Sequence, residues 1–405
     1  MTAATGRRRR VRGRIRARAL AAAVAGIASS AALAACGSAS SSSPSAGGST
    51  AASVPAVSLA TSLSTAKDTW AIVPMAANPA FWEVFVRPAT SATWQLVTPP
   101  GVADNGGLVA AADSGRSLTV AVRPSQDLEF TPLASTADAG GSWSTGGPIS
   151  AGVAASPGAL AVSGRQLAAV LGNGTIEASS DAGSTWRTLA KPGAIAASAA
   201  GKECGTVGVT AVSFGPLPTE VLAAGTCGAT GTAGFFGYSP GSPGGWQRLS
   251  LPVSGQLVRL GADMALVRAR AGLTAMWLSG WYAYAPLQPS AHPSSAAWTA
   301  SAPLPVTSGV IASGGLSGAT AASPGGMWVL MPGGQAATIG GPGQQWLLLP
   351  PTPAHTSVLA SGPGNSLDAL AVSGSTLTIW QLDRGSTIWT KAQSLSVPIQ
   401  YGSSS

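Results

Sequence analysis

Charge is scarce in this chain. Asp, Glu, Lys and Arg make up 9% of its 405 residues, and there are two histidines. Eight of the 22 basic residues crowd the first 18 positions, at Arg7, Arg8, Arg9, Arg10, Arg12, Arg14, Arg16 and Arg18. The other basic residues are matched by 14 acidic ones, so the rest of the chain is near neutral. A nucleic-acid partner needs a basic patch or stripe, and none is visible, so no nucleic acid is expected. His292 and His355 stand far apart in loops rich in Pro, Ser and Ala, and no zinc motif accompanies them. No metal and no cofactor is therefore expected. Phosphate loops and nucleophile elbows are missing as well. No long apolar run occurs beyond the N-terminus, which leaves that end alone to meet a membrane. Helical periodicity is hard to find anywhere.

The N-terminus itself is informative. Behind the arginine-rich head runs an apolar stretch from Ala19 to Ala35, followed by Cys36, Gly37 and Ser38. Charged head, apolar middle and small residues at a cut site are the layout of a secretory signal. Leu33-Ala34-Ala35-Cys36 resembles the lipobox of bacterial lipoproteins. The resemblance implies cleavage before Cys36, acylation of its thiol, and a chain held to the membrane by that lipid on the extracytoplasmic face. The rival reading is an uncleaved anchor, although a run of about 17 residues is marginal for a bilayer that takes roughly 20. Residues 37 to about 60 are rich in Ser, Ala, Gly and Pro and read as a flexible tether. The expected organisation is a signal over 1–35, the lipidated cysteine and tether over 36–63, and a folded domain over 64–402. Within that domain Cys204 and Cys227 form an even pair in an exported chain, which favours a disulfide. A hairpin between Val207 and Ala224 would bring them together.

Short β-prone runs alternate with turn residues, as in Gln166–Leu171, then Gly172-Asn173-Gly174, then Thr175–Ala178. Asn-Gly between two such runs is a strong hairpin signal. Trp94, Trp143, Trp186, Trp246, Trp298, Trp346 and Trp389 each mark a strand-like run, at spacings of 43 to 60 residues. Periods of roughly 40 to 50 residues in a β-rich chain are those of propeller blades. The expected fold class is all-β: a seven-bladed β-propeller of four-stranded antiparallel blades. Leu395–Tyr401 is expected to complete the first blade beside Thr69–Val73, Trp82–Val86 and Trp94–Val97.

Two of the tryptophans close a sharper motif. Ser179-Ser180-Asp181-Ala182-Gly183-Ser184-Thr185-Trp186 resembles the Asp-box, and Thr136-Ala137-Asp138-Ala139-Gly140-Gly141-Ser142-Trp143 is a near match. Asp383-Arg384-Gly385-Ser386-Thr387-Ile388-Trp389 looks like the same box with one inserted residue. A short carboxylate accepts hydrogen bonds from loop N–H groups, and glycine supplies the left-handed backbone. The resemblance covers most of residues 64–402. It implies a BNR-type, sialidase-like propeller in which Asp138, Gly140, Trp143, Asp181, Gly183, Trp186, Asp383, Gly385 and Trp389 are structural, in hairpins joining the third and fourth strands.

Sialidases use three arginines, a tyrosine nucleophile paired with a glutamate, and an acid/base aspartate. The Arg-Ile-Pro signature is missing here; Arg87-Pro88 and Arg123-Pro124 do not fit the pattern. Tyr238, Tyr282, Tyr284 and Tyr401 are the only tyrosines, and Glu177, Glu203 and Glu220 have no recognisable catalytic context. The densest aromatic cluster, Trp277 to Tyr284, follows Arg268-Ala269-Arg270. Arg268, Arg270, Trp281, Tyr282 and Tyr284 are the candidate ligand face, for a protein or glycan. The expected function is a non-catalytic, lipid-anchored binding or scaffold module acting as a monomer; the alternative is a divergent sialidase-like glycoside hydrolase acting on glycans. Replacing Cys36→Ser should leave the precursor unprocessed or release the protein from the membrane. Membrane fractionation checks this, and an anchored, processed Cys36→Ser chain would refute lipidation at that residue.

Overall fold

Each sheet of this protein is built from consecutive chain. The computed structural model describes residues 61–64, 68–75, 82–99, 108–114, 117–122, 133–145, 157–215, 219–228, 231–240, 245–261, 264–281, 296–306, 309–316 and 325–397. All lie in the second of the chain's two units, Val54–Ser405. The first sheet holds β1 (Thr61–Ser64), β2 (Asp68–Pro74), β3 (Trp82–Pro88) and β4 (Gln95–Leu96). The second holds β5 (Leu108–Ser114), β6 (Ser117–Val122), β7 (Leu133–Thr136) and β8 (Ser144–Thr145). The third holds β9 (Pro157–Ser163), β10 (Gln166–Leu171), β11 (Ile176–Ser179) and β12 (Arg187–Ala190). Two short helices follow, α1 (Ala194–Ala197) and α2 (Ala199–Cys204). The fourth sheet holds β13 (Thr206–Phe214), β14 (Val221–Cys227), β15 (Thr232–Tyr238) and β16 (Trp246–Leu249). The fifth holds β17 (Gln256–Gly261), β18 (Met264–Ala269), β19 (Gly272–Trp281) and β20 (Ala296–Ala300). The sixth holds β21 (Ala312–Leu316), β22 (Gly326–Met331), β23 (Gln335–Ile339) and β24 (Leu347–Leu348). The seventh holds β25 (Thr356–Ser361), β26 (Leu367–Ser373), β27 (Thr376–Leu382) and β28 (Thr390–Ser396).

The fold is all-β, with seven four-stranded antiparallel sheets, each paired in chain order as in a β-propeller. Second strands are near-continuous apolar runs, such as Trp70-Ala71-Ile72-Val73 and Met327-Trp328-Val329-Leu330-Met331, buried along their length. They lack polar alternation because both faces of the sheet are covered. First strands approach the first strands of other sheets, and fourth strands lie at the outside. The Asn173-Gly174 turn links β10 and β11 as expected. Gly174 has φ +83°, and Asn173 Oδ1 accepts from Thr175 N at 2.9 Å.

The seven spaced tryptophans stand at the start of a fourth strand, or inside it for Trp298. Each joins an apolar cluster that includes the preceding sheet. Trp143 packs with residues of the first and second sheets, Trp186 with the second and third, and Trp246 with the third and fourth. Trp298 packs with the fourth and fifth, and Trp346 with the fifth and sixth. Trp94 and Trp389 share one cluster with residues of the sixth, seventh and first sheets.

Two expectations need correction. Thr61–Ser64 is a strand, although Thr61–Leu63 is expected in the tether. Its Thr-Ser-Leu-Ser composition is that of a linker, but tertiary partners decide its structure. Thr61 Oγ1 donates to Ser313 O at 3.0 Å and Ser62 Oγ to Gly315 O at 3.1 Å, both on β21. The expected shared blade does not form: Thr390–Ser396 pairs with β27 in the seventh sheet, and β1 completes the first. Residues 398–401 lie outside the described residues.

The first and seventh sheets meet through buried polar side chains. Asp368 on β26 accepts the Trp94 indole N–H at 2.9 Å, and Arg87 Nε lies 3.6 Å from the same carboxylate oxygen. The Arg87 guanidinium also donates to Thr69 Oγ1 and Ser361 O, and its carbon sits 5.8 Å from the Trp94 ring centre. Gln393 on β28 accepts from Trp94 N at 2.8 Å and donates to Trp94 O at 2.9 Å. Burial pushes the Asp368 carboxyl up and the Arg87 guanidinium down, and each is held partly in check by the other's charge. Removing one member strands a buried charge at a cost of about 3–5 kcal/mol, whereas replacing both by apolar groups is often neutral. Asp368→Leu or Arg87→Met alone should therefore lower stability in chemical denaturation far more than the two together. Additive losses would show that the pair is not coupled.

Candidate functional site

The Asp138 and Asp181 hairpins are the best-defined polar structures on the surface. Each joins a third to a fourth strand. Asp138 Oδ1 accepts from Ser142 N at 2.9 Å and Thr136 Oγ1 at 2.8 Å, and Oδ2 accepts from Ser142 Oγ at 2.7 Å. Asp181 repeats this with Thr185 N at 2.9 Å, Ser179 Oγ at 2.7 Å and Thr185 Oγ1 at 2.7 Å. Ala139-Gly140 and Ala182-Gly183 take positive φ, so the chain turns twice in the left-handed region. The Trp186 indole closes its turn by donating to Gly183 O at 3.1 Å. With all these donors satisfied inside the turn, the carboxylates hold a loop and are not presented to a substrate.

The Asp383 turn departs from the expected pattern. It too joins a third and a fourth strand, but Ile388 is one residue too many between Asp383 and Trp389. Ser386 N bonds the Asp383 main-chain O at 2.9 Å, and the carboxylate accepts from Gln381 Nε2 at 3.2 Å. Only Gly385 has positive φ there, so the chain turns once in the left-handed region and not twice.

Cys204 and Cys227 form the expected disulfide, with Cα atoms 5.2 Å apart. The β13–β14 hairpin brings them together by pairing Thr206 with Cys227. The long insertion before it does not project as a loop. Its helices pack Ile195 and Ala200 into the core between the third and fourth sheets, and Arg248 clasps Glu203 at 2.9 Å.

Of the sialidase-type candidates, Arg87 is spent in the buried knot. Tyr238 packs against Trp246 with ring centres 5.3 Å apart, and Glu177 accepts from Thr188 at 2.9 Å. Arg123, Tyr282, Tyr284, Tyr401 and Cys36 lie outside the described residues. Among the first strands, Arg259 of β17 donates to Thr61 Oγ1 of β1 at 2.8 Å and Ser313 O of β21 at 2.9 Å. Among the described residues, no group of three His, Cys, Asp or Glu side chains is placed to hold a metal ion.

A cleft of about 580 Å³ opens between the fifth and sixth sheets. Arg268 and Arg270 line it from the β18–β19 turn, opposite Met331, Gln335, Leu348 and Leu349. The candidate ligand face is thereby split. Trp281 is at the far end of β19, paired with Ala296, and ~30 Å of strand at ~3.3 Å per residue separates it from the turn. Closeness along the sequence does not carry over into space because β19 runs for ten residues. Leu348, Leu349 and Gln335 were missed. Two signals could have found them. No acidic residue occurs from Met264 to Leu367, and the sixth sheet, Ala312–Leu348, carries no charge at all. Arg268 and Arg270 stand alone in that stretch as cations, apart from the two histidines.

No family model and no curated protein matches the chain. Solved structures are similar at the level of fold. YCF48 from Cyanidioschyzon merolae is 13% identical over 82% of this chain and 94% of its own, with a TM-score of 0.44. The GH74 xyloglucanase from Xanthomonas campestris is 14% identical over 80% of this chain and 51% of its own, with a TM-score of 0.47. PorZ, a type-IX secretion surface component of Porphyromonas gingivalis, is 13% identical over 83% of this chain and 38% of its own, with a TM-score of 0.48.

Hydroxyl and main-chain donors depress both turn carboxylates to about 2. A depressed acid contributes stability that is complete above its unfolded value of roughly 3.9 and is lost as pH falls through the folded value. The two hairpins should therefore stay ordered at pH 4 and loosen only as pH nears about 2. Carboxyl carbon NMR titration of Asp138 and Asp181 checks this; midpoints at the ordinary aspartate value would mean that the turn hydrogen bonds do not hold in solution.

Proposed function

We propose that the chain is an extracytoplasmic lipoprotein, anchored through Cys36, whose seven sheets close into an Asp-box β-propeller that binds a ligand without catalysis. Closure is supported by a regularity of packing. Six tryptophans pack on the preceding sheet, and Trp94 of the first sheet makes the same contact with the seventh. The Asp138 and Asp181 turns support the Asp-box reading. The Arg head, apolar stretch and Leu33-Ala34-Ala35-Cys36 support the anchor.

One observation carries the binding reading: the cleft between the fifth and sixth sheets joins two arginines to an apolar wall. Glycoside hydrolysis needs carboxylates at the scissile bond, as a pair or, in sialidases, as the glutamate behind the tyrosine nucleophile and the acid/base aspartate. Among the described lining residues there is none, and the sequence from Met264 to Leu367 has none to offer. A site with cations and apolar surface but no acid or base holds an amphipathic anion and does not cleave it. Titration with the fluorescent anion 8-anilinonaphthalene-1-sulfonate should show saturable binding that weakens about tenfold in Arg270→Glu and falls with added salt. A fluorogenic sialoside should stay intact. Binding indifferent to Arg270, or sialoside turnover, would overturn this reading.

A further inference from the structure

The sixth sheet ends in an unusually bare edge. β24 is its outermost strand and consists of Leu347 and Leu348, exposed by 63% and 68%. Proteins normally blunt such edges with charge. Three of the other fourth strands do so with Arg187, Arg248 and Lys391; β24 has no charge, and neither has the rest of its sheet. The register fixes which way its main chain faces. Leu348 sits opposite Ala337, and the next residue, Leu349, donates its N–H inward to Ala336 O at 2.9 Å. Main-chain groups alternate in and out along an antiparallel strand, so Leu348 turns its N–H and C=O to the open edge. Pro350 ends the run; its outward carbonyl lies 3.5 Å from the Trp389 indole nitrogen.

The two faces of this edge differ. Trp346 and Leu348 share one face by the two-residue period. Trp346 packs between the fifth and sixth sheets, so this face belongs to the cleft that Arg268 and Arg270 line. Leu347 lies on the other face by the same period; Leu349, where the run ends before Pro350, packs with the cluster that holds the seventh sheet and also borders the cleft.

We propose that the cleft takes an extended peptide, added as a strand beside β24, with acidic side chains on the face toward Arg268 and Arg270 and apolar ones on the face toward Leu347. The inference rests on the anion-binding reading of the cleft and names its occupant. Added strands bind through main-chain hydrogen bonds and read alternate side chains in pockets. A lipid headgroup would satisfy the arginines, but it has no use for the outward N–H and C=O of Leu348. A cationic peptide is excluded because neither sheet offers it a carboxylate after Met264.

The probe is a blocked peptide of alternating valine and glutamate, titrated by fluorescence anisotropy into the full chain. Binding should weaken about tenfold in Arg270→Glu and disappear when lysine replaces glutamate. N-methylation of the peptide amide that faces β24 should weaken binding by a similar factor, and moving the methyl by one residue should restore it. That alternation depends on no variant of the protein. If both methylated peptides bind as well as the parent, or anionic phosphatidylglycerol vesicles bind and the peptide does not, the strand-addition proposal falls. Should 8-anilinonaphthalene-1-sulfonate still bind in those cases, the anion cleft stands without it; should that also fail, both fall.

Discussion

One indole per sheet, laid against the sheet before it, is the contact on which the rest of this structure depends. The chain is poor in charge and rich in Gly, Ala and Ser, so most side chains are too small to fill the space between stacked sheets. Tryptophan is the largest filler available, and aromatic side chains bury some 150–250 Å² each. Its place at the start of the fourth strand sets it at the edge of the sheet farthest from the first strands, which approach one another. Small residues are tolerated on the first strands, where sheets converge.

The seven joints are not chemically alike. Six rest mainly on apolar packing, with scattered indole and hydroxyl hydrogen bonds such as Trp346 to Ser301 and Ser213 to Gly261. The joint between first and seventh sheets adds Arg87, Asp368 and Gln393, all engaged with Trp94 or its surroundings. Apolar packing tolerates sliding, while a carboxylate held between an indole N–H and a guanidinium accepts one geometry. Buried ionic groups are weak sources of stability and better sources of specificity. Here the specificity falls where the first and seventh sheets meet, which no connecting loop holds in register.

Much of the fold was legible because its signals are periodic. Tryptophan spacing marked all seven fourth strands, and the Asn173-Gly174 hairpin and the cysteine pair formed where expected. What escaped depends on tertiary partners. Thr61–Leu63 reads as linker and is a strand through its pairing with β2 and the bonds its hydroxyls make to Ser313 and Gly315. The helices at Ala194–Cys204 are too short to show a period. The Asp383 turn looked like its relatives, but one extra residue moved the donors out of reach. The cleft was half visible: its arginines stood out, while Leu348 and Gln335 belong to a sheet that approaches only after folding. Sequence neighbourhood then tied the arginines to Trp281, at the opposite end of β19.

The sheets also share no strands. Every one is finished by its own stretch of chain before the next begins, and the first and seventh sheets are joined through side chains. Each unit can therefore mature in the order in which it emerges from a ribosome or a translocation pore, with no early strand left waiting for a late partner. Contacts within sheets stay local in sequence, which favours rapid assembly. Topologically, the point at which the chain opens is then arbitrary. Opening it between two other sheets and linking the present ends would leave all seven sheets intact, and would turn the Arg87–Asp368 joint from the last contact made into an ordinary internal one.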